Sequence, residues 1–133
     1  MKKLIFISLI ACMFSLDVSG EDIPRVIVSA FGSGDASALA GYFNSTIELT
    51  INNKEEIYSK TQAEVILKDF FAKNPPKSFS ILHQGGKESS KYAIGNLKTA
   101  KGSYRITFLL KSVNSKIFIH QLRIENSNVE SID

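Results

Sequence analysis

The sequence of 133 residues has little that could bind a metal or form a disulfide: Cys12 is its only cysteine, and its two histidines, His83 and His120, are far apart. Because Cys12 lies in an N-terminal segment that we expect to be removed, the mature chain has no thiol and cannot form a disulfide. Two separated histidines without a carboxylate-rich loop are not a metal-ligand set. We therefore expect stability from packing alone, and neither a metal nor another cofactor.

The sequence also lacks a charge run, a long apolar stretch and the common catalytic motifs. Its 16 Lys and Arg residues nearly balance its 13 Asp and Glu residues, and the lysines are scattered, which argues against a nucleic-acid partner. The apolar run from Leu4 to Leu16 is shorter than the roughly 20 residues that cross a bilayer, so we expect no membrane span. No Gly-x-Ser-x-Gly motif supports a catalytic triad, and no glycine loop has the spacing of a phosphate site.

The N-terminus has the layout of an export signal. Lys2 and Lys3 precede the apolar run, and the small residues 18–20 follow it, which is typical of a signal peptide cleaved before Glu21. The mature protein would then be periplasmic or secreted. We expect three regions: a signal peptide over 1–20, a single domain over 21–125 and a polar C-terminal tail over 126–133.

A lipoprotein signal is the alternative for the same segment. Residues 9–12, Leu-Ile-Ala-Cys, match the pattern that lipoprotein signal peptidase recognises, and cleavage there would leave Cys12 as a lipid anchor on the cell envelope. Against this, the apolar run continues past Cys12 to Leu16, where a lipoprotein normally turns polar. Cleavage after Gly20 is the preferred prediction.

Apolar residues at helical spacing predict three helices. Ile27, Ala30 and Phe31 share one face of the first, which residues 32–34 end, and Asp35 caps a short second helix over 36–42. The third helix starts with the capping box Ser59-Lys60-Thr61-Gln62 and ends before Asn74-Pro75-Pro76. Its apolar stripe consists of Ala63, Ile66, Leu67, Phe70 and Phe71.

Alternation of apolar and polar residues predicts six strands. The first, over 46–51, turns through 52–54 into a short partner strand around Ile57 and Tyr58. The other four form a meander with short hairpin connections: 77–84, 91–99, 103–111 and 116–125. The sequence therefore predicts an α+β domain in which helices pack on an antiparallel sheet of about six strands.

The last two strands are apolar at both odd and even positions. Residues 106–110 and 117–119 carry apolar side chains on both faces, whereas a sheet with one solvated face should alternate. The helices can cover only one face, so Leu109, Ile117 and Ile119 suggest that another molecule covers the opposite face. A homodimer through the outer sheet face is the preferred hypothesis, and a bound apolar molecule is the alternative.

The order of these elements resembles that of the nuclear transport factor 2-like superfamily, and residues 31–36 and 39–43 resemble its turn between the first two helices. Residues 27–31, 61–71, 74–79 and 122–125 are similar to a family of small exported bacterial proteins, the domain of unknown function 4783 family. The resemblance implies a cone-shaped α+β fold with a curved antiparallel sheet wrapped around the helices. It implies no activity, because the superfamily includes isomerases, dehydratases, cyclases and inert binding modules.

The histidines are the candidate catalytic residues. The resemblance implies that an enzyme of this superfamily would use an aspartate or histidine inside the cone, sometimes with a tyrosine as hydrogen-bond donor, and no aspartate lies in a predicted strand. His83 shares parity with Phe79 and Ile81, and His120 with Phe118, Leu122 and Ile124, so either could point inward as a proton carrier. A structural histidine is the simpler interpretation of each.

The tyrosines are the candidate ligand contacts: Tyr42, Tyr58, Tyr92 and Tyr104. Tyr92 with Ile94, and Tyr104 with Ile106, are first interpreted as core aromatics whose hydroxyl reaches a partner. Glu48 is expected in solvent, and Arg123 and Glu125 are expected to pair on the outer sheet face.

The preferred function is a non-catalytic module that binds a small apolar molecule in the cone or another protein. A small isomerase- or lyase-like enzyme with a histidine base is the first alternative. A cystatin-like peptidase inhibitor is the second, but the chain lacks the Gln-x-Val-x-Gly loop and has an extra helix.

Overall fold

The computed structural model describes residues 23–127, so the expected signal peptide and residues 128–133 of the tail lie outside the described residues. Three helices and six strands follow one another: α1 (Arg25–Ser33), α2 (Ala36–Ala40), β1 (Phe43–Ile51), β2 (Lys54–Ser59), α3 (Lys60–Lys73), β3 (Pro76–Lys87), β4 (Ser90–Thr99), β5 (Gly102–Val113) and β6 (Lys116–Asn126). No helix within residues 23–127 is long and apolar enough to cross a membrane.

The N-termini of α2 and α3 are capped by the side chains that the sequence indicates. Asp35 accepts a hydrogen bond from the Ala38 amide at 3.0 Å, which caps α2. Ser59 Oγ accepts one from the Gln62 amide at 3.1 Å, and the Gln62 side chain accepts one from the Ser59 amide at 3.2 Å. The predicted capping box of α3 is therefore confirmed, and it satisfies amides that have no partner inside the helix.

The six strands form one curved sheet in the order β2-β1-β6-β5-β4-β3. The α+β class and the number of strands are as predicted, but the sheet is mixed, because β1 and β6 run parallel while the other pairs are antiparallel. The reason is the connection: α3 carries the chain from β2 at one edge to β3 at the other, and the meander returns until β6 lies beside β1.

The helices pack on one face of this sheet, which we call the inner face; the opposite one is the outer face. On the inner face the ring of Phe31 from α1 lies between those of Phe79 and Phe108, with centroids 4.9 and 5.4 Å away. Leu67 of α3 and Leu122 of β6 are also fully buried there. The core is thus a single layer between the inner face and the helices.

A β-bulge in β3 changes which side chains point inward. Ile81 lies opposite Gly95, but His83 lies opposite Ile94, so Leu82 is an extra residue in this strand. Leu82 is 66% exposed. Because an extra residue reverses the alternation of faces, His83 does not continue the inward parity of Ile81.

A second bulge lies in β6. Ile119 pairs with Leu110 and Gln121 pairs with Leu109, so His120 is the extra residue. Ile119 is buried and Gln121 is exposed. The inward parity of this strand therefore differs on the two sides of His120.

This bulge explains why β6 is apolar at both odd and even positions. Ile117 and Ile119 pack on the core before the bulge, and Leu122 and Ile124 are buried in it after the bulge. The interpretation that Ile117 and Ile119 belong to a covered outer face was therefore wrong. The half-buried Phe118, opposite the exposed Lys111, is the apolar residue that β6 presents on the outer face.

Candidate functional site

A cavity of about 520 Å³ opens between α3 and the hairpin formed by β1 and β2. Leu49 and Ile51 of β1, with Ile66 and Phe70 of α3, form its apolar wall. Its polar lining comes from the hairpin, from the end of α3 and from β5: Asn52, Lys54, Tyr58, Asp69, Lys73, Asn74 and Tyr104. This volume lies in the range of small-molecule sites, and the lining combines an apolar wall with polar groups that could orient a ligand.

Phe70 and Tyr104 form an ordered aromatic corner in the cavity. Their ring centroids are 5.0 Å apart and the ring planes are at 80°, which is the favourable edge-to-face arrangement. The Tyr104 hydroxyl donates to Asn74 Oδ1 at 3.0 Å, and Asn74 Nδ2 donates to the Phe70 carbonyl at 2.9 Å. Because its own proton is engaged, the Tyr104 oxygen is left to accept a hydrogen bond from a ligand.

Charged and polar side chains surround the mouth of the cavity. Lys73 Nζ lies 3.1 Å from Asp69 Oδ2, but these side chains are 70% and 62% exposed, so the pair adds little stability. The Tyr58 hydroxyl donates to the Glu56 carboxylate; this bond, followed by partial burial and the charge of Glu56, raises the pKa of Tyr58. Tyr58 is therefore a protonated hydrogen-bonding group near neutral pH rather than a base.

Two of the four candidate tyrosines lie outside the cavity. Tyr42 follows α2 and packs half-buried against the core, and its carbonyl accepts a hydrogen bond from the Ile119 amide at 2.7 Å. Tyr92 lies on the outer face, because its neighbour Ala93 takes the buried position in β4. The interpretation of Tyr92 and Ile94 as core residues was wrong, and the structure brings together only Tyr58 and Tyr104 of the four.

His83 lies on the outer face and makes a pair with Tyr92. Its Nε2 atom is 3.0 Å from the Tyr92 hydroxyl, and both groups are at the surface. The Tyr92 ring lies over Gly85, where a Cβ atom would come within 2.9 Å of the Tyr92 oxygen. The prediction that His83 could point into the cone was wrong, because the bulge at Leu82 turns it outward.

His120 is half-buried at the bulge of β6 and does not line the cavity. Its Nε2 atom is buried and finds no hydrogen-bond partner among residues 23–127. Burial of the ring lowers the pKa of His120, and the positive charge of Lys111 lowers it further. The shared parity with Leu122 and Ile124 that suggested an inward position does not hold across the bulge.

His120 should make the protein less stable in acid. Since its pKa is lower in the folded chain than the value of about 6.5 in an unfolded one, the unfolded state binds more protons once the pH falls below that value, and unfolding becomes easier. The resulting loss in the free energy of unfolding grows until the pH has fallen below the folded-state pKa of His120, and it then stays constant. We expect the free energy of unfolding in urea to fall less between about pH 8 and about pH 5 in His120→Gln than in the wild type.

The second cause of the shift supplies the control for this prediction. Lys111→Gln removes the neighbouring charge but keeps the burial of His120. The fall in its free energy of unfolding with decreasing pH should therefore lie between that of the wild type and that of His120→Gln. An equal fall in the wild type and in His120→Gln would contradict the attribution of the acid destabilisation to His120.

A polar cluster occupies the outer face of β1, β2 and β6. Arg123 donates to Glu125 at 2.9 Å, which confirms the predicted pair, and Gln121 Nε2 donates to Glu48 at 3.1 Å. A hydrogen bond with Glu48, and then the charge of Glu48, raise the pKa of Glu55. Within residues 23–127 no group of three or more His, Cys, Asp or Glu side chains is arranged to hold a metal ion.

Comparison with known proteins identifies the family. The family model described as "Domain of unknown function (DUF4783)" matches residues 24–125, which is most of the chain. The chain belongs to the DUF4783 family. A DUF4783 crystal structure from Bacteroides fragilis is 35% identical, with a TM-score of 0.76 over 80% of this chain and 100% of that one. Another from Bacteroides ovatus is 32% identical, with a TM-score of 0.77 over 80% of this chain and 97% of that one.

More distant structures share only the fold with this DUF4783 chain. A designed protein with NTF2 in its name is 10% identical and gives a TM-score of 0.60 over 75% of this chain and 90% of its own. No curated protein matches the chain. The family therefore establishes a fold shared with bacterial relatives, and it carries no activity with it.

One cavity residue of this DUF4783 protein, Asn74, was not predicted as a site residue from the sequence. Asn74 was interpreted only as part of the Asn-Pro-Pro stop of α3, yet its side chain joins Tyr104 to the last turn of that helix. Ile66 and Phe70 were assigned to the apolar stripe of α3, which is correct, but the stripe also extends to the cavity wall. An amide side chain at a helix C-terminus is the only local signal that could have drawn attention to Asn74.

Proposed function

We propose that this DUF4783 protein is an exported, non-catalytic module that binds a small molecule in the cavity between α3 and the β1–β2 hairpin. The observation that carries the proposal is the aromatic corner of that cavity, where Phe70, Tyr104 and Asn74 are held by mutual contacts. A preorganised wall binds a ligand without first having to be ordered. The ligand class that fits is a largely apolar molecule with a group that donates to the Tyr104 oxygen.

The distribution of proton carriers favours binding over catalysis. Neither His83 nor His120 lines the cavity, and a general base must lie within hydrogen-bond reach of its substrate. The carboxylate that does line it, Asp69, is exposed and paired with Lys73. Four aromatic side chains are buried: Phe70 and Tyr104, which line the cavity, and Phe71 and Phe108, which do not.

Export and superfamily membership are part of the same proposal. The charged, apolar and small-residue layout of residues 1–20 supports transport out of the cytoplasm, to the periplasm or the medium, with lipidation at Cys12 as the alternative. The element order and the likeness to a designed protein with NTF2 in its name support a place in the nuclear transport factor 2-like superfamily.

Self-association through the outer face is the second part of the proposed function. Tyr92, Ile94, Leu109 and Phe118 are apolar or aromatic, half-buried and all on that face. Together with Thr107 they form what we call the central strip. A second copy of the chain would remove this strip from water, which favours association.

Native mass spectrometry of the protein purified from its own host tests ligand binding and export together. We expect a retained small molecule that is lost on denaturation, and a mature mass that begins at Glu21. A lipid-modified mass beginning at Cys12 would show that the chain is lipidated at Cys12 instead of being cleaved after Gly20. A mass that includes residues 1–20 would contradict export.

A variant that fills the cavity tests where the ligand binds. Ile66→Trp adds an indole to the apolar wall, so we expect the retained mass to disappear. Val65→Trp is the matched control: it makes a similar enlargement at the next residue of α3, which is 61% exposed, and it should retain the ligand. Thermal unfolding of both variants shows whether the fold is kept, and a retained ligand in folded Ile66→Trp would place the site elsewhere.

A further inference from the structure

The side-chain amide of Asn74 is fixed in one orientation at the end of α3. Its Nδ2 atom donates to the Phe70 carbonyl at 2.9 Å, and its backbone amide donates to the same oxygen at 2.8 Å. A carbonyl oxygen has two lone pairs, so it can accept both bonds. Turning the side-chain amide over would place two oxygen acceptors against each other. The amide oxygen of Asn74 therefore has to face Tyr104.

This orientation decides the direction of the hydrogen bond between Asn74 and Tyr104. Asn74 Oδ1, which is 3.0 Å from the Tyr104 hydroxyl, can only accept, so the proton in that bond comes from Tyr104. A phenol has one proton, and its oxygen keeps a lone pair for a second bond. Toward a ligand, Tyr104 therefore acts as an acceptor, and it cannot donate without losing its bond to Asn74.

Tyr104 is also the polar residue of the cavity lining that is most shielded from water. It is 8% exposed, whereas Tyr58 and Asn74 are half-buried. The other four polar residues of the lining are exposed: Asn52, Lys54, Asp69 and Lys73. An exposed group can replace a ligand by water, whereas a buried group that is left unpaired loses its hydrogen bond. Discrimination between ligands should therefore depend mainly on Tyr104.

The groups next to Tyr104 favour a ligand hydroxyl. The proton of Tyr58 is engaged by the Glu56 carboxylate, so the Tyr58 oxygen is also left as an acceptor. Asn74 has the opposite role, because the Phe70 carbonyl takes only one of the two hydrogens on Nδ2. A ligand hydroxyl can donate to Tyr104 and accept from Asn74, whereas an ether oxygen can only accept.

We infer that Asn74 makes this cavity selective for apolar molecules that carry a hydroxyl group. The inference rests on the ligand binding proposed above, and it adds the chemical class of the ligand and the residue that sets it. Asn74 acts through Tyr104, because it holds the hydroxyl proton and so leaves the oxygen as an acceptor. It is a positioning residue, and its removal should change which ligand is preferred.

Naphthol and its methyl ether are suitable probes of this selectivity. They share one apolar body, and they differ in whether the oxygen carries a proton or a methyl group. Isothermal titration calorimetry of the exported protein should give a dissociation constant about tenfold lower for naphthol, which is the effect of one buried hydrogen bond. Ile66→Trp fills the cavity and should abolish the binding of both probes.

Asn74→Leu should remove the preference by strengthening the binding of the ether. The Tyr104 proton is then free and can be donated to the ether oxygen, so the two dissociation constants should agree to within about twofold. Asn74→Asp is the matched control. A carboxylate at this position also accepts from Tyr104, so this variant should keep most of the preference for naphthol.

Tyr104→Phe supplies a second test if Asn74→Leu does not fold. It keeps the aromatic ring beside Phe70 and removes the hydroxyl. Naphthol should then bind about tenfold less tightly, while the binding of the ether stays the same. Circular dichroism checks the fold of each variant.

The outcomes separate the selectivity from the binding itself. Equal binding of both probes by the wild type, or a preference that survives in folded Asn74→Leu, overturns the inference and leaves the cavity as a ligand site. If neither probe binds the wild type, or if both still bind folded Ile66→Trp, the cavity is not the site for apolar ligands and both proposals are wrong.

Discussion

Replacing Phe31 with alanine should lower the free energy of unfolding by about 3–5 kcal/mol, the usual cost of removing a fully buried phenylalanine. The side chain is 0% exposed, and its ring lies 4.9 Å from that of Phe79 and 5.4 Å from that of Phe108. It therefore joins α1 to two strands that are not neighbours in the sheet. Since a domain of this size is stable by only about 5–15 kcal/mol, much of the stability should be lost.

Urea unfolding followed by circular dichroism measures this effect. Val26→Ala shortens a side chain on the same helix that is 51% exposed, and it should change stability by no more than about 0.5 kcal/mol. A loss below about 1 kcal/mol in Phe31→Ala would mean that the core collapses around the gap, or that the aromatic cluster is not packed as described.

Replacing Gly95 with alanine should also destabilise the protein, by about 1–3 kcal/mol, although only one methyl group is added. Gly95 is buried in β4 beneath the ring of Phe79. A Cβ atom there would collide with Phe79 Cζ and would lie 2.8 Å from the Ser80 carbonyl oxygen. The ring would have to move away from Phe31, and the backbone oxygen leaves little room for it to do so.

Gly32→Ala is the matched control because the same methyl group should have the opposite effect. Gly32 lies in α1, and the nearest atom to a Cβ there is Phe79 Cβ at 3.8 Å, an ordinary contact. Alanine in a helix is favoured over glycine by up to about 1 kcal/mol. The midpoint temperature of thermal unfolding should thus fall for Gly95→Ala and rise for Gly32→Ala. An unchanged or higher midpoint for Gly95→Ala would contradict the close approach of Phe79.

The two predictions describe the scaffold on which the cavity rests. Phe31, Phe79 and Phe108 fill the inner face on the β3–β5 side, and the cavity lies on the side of β1, β2 and the end of α3. A protein with a dense aromatic core at one side and a pocket at the other can hold a ligand without reorganising the fold. Variants of Phe31 and Gly95 should therefore change stability first and ligand retention only through loss of the folded state.

The elements themselves could be predicted because their signals are local. Asp35 and the Ser59–Gln62 capping box mark helix starts through contacts between residues three apart in the chain. The stripe of α3 and the alternation of β4 and β5 likewise depend on spacings that the sequence shows directly. The observed order of three helices and six strands agrees with the predicted one.

The sheet face on which each histidine side chain lies could not be predicted, because each depends on a bulge. Alternation with a period of two assumes an uninterrupted ladder, and one extra residue reverses every later assignment in the strand. Leu82 and His120 are such residues, and no glycine or proline stands at either position to mark it. The sequence was therefore misread at His83 and across the last strand.

The sequence by itself determined the three helices, the six strands, the caps and the α+β class, because these follow from residues close together in the chain. Only the tertiary structure placed β6 beside β1, turned His83 and Tyr92 outward, and brought Asn74 to Tyr104 across 30 positions of sequence. The physical reason is that strand order, bulges and cavity walls depend on pairing between distant segments. Such pairing is selected by the packing of the whole core rather than by any local pattern.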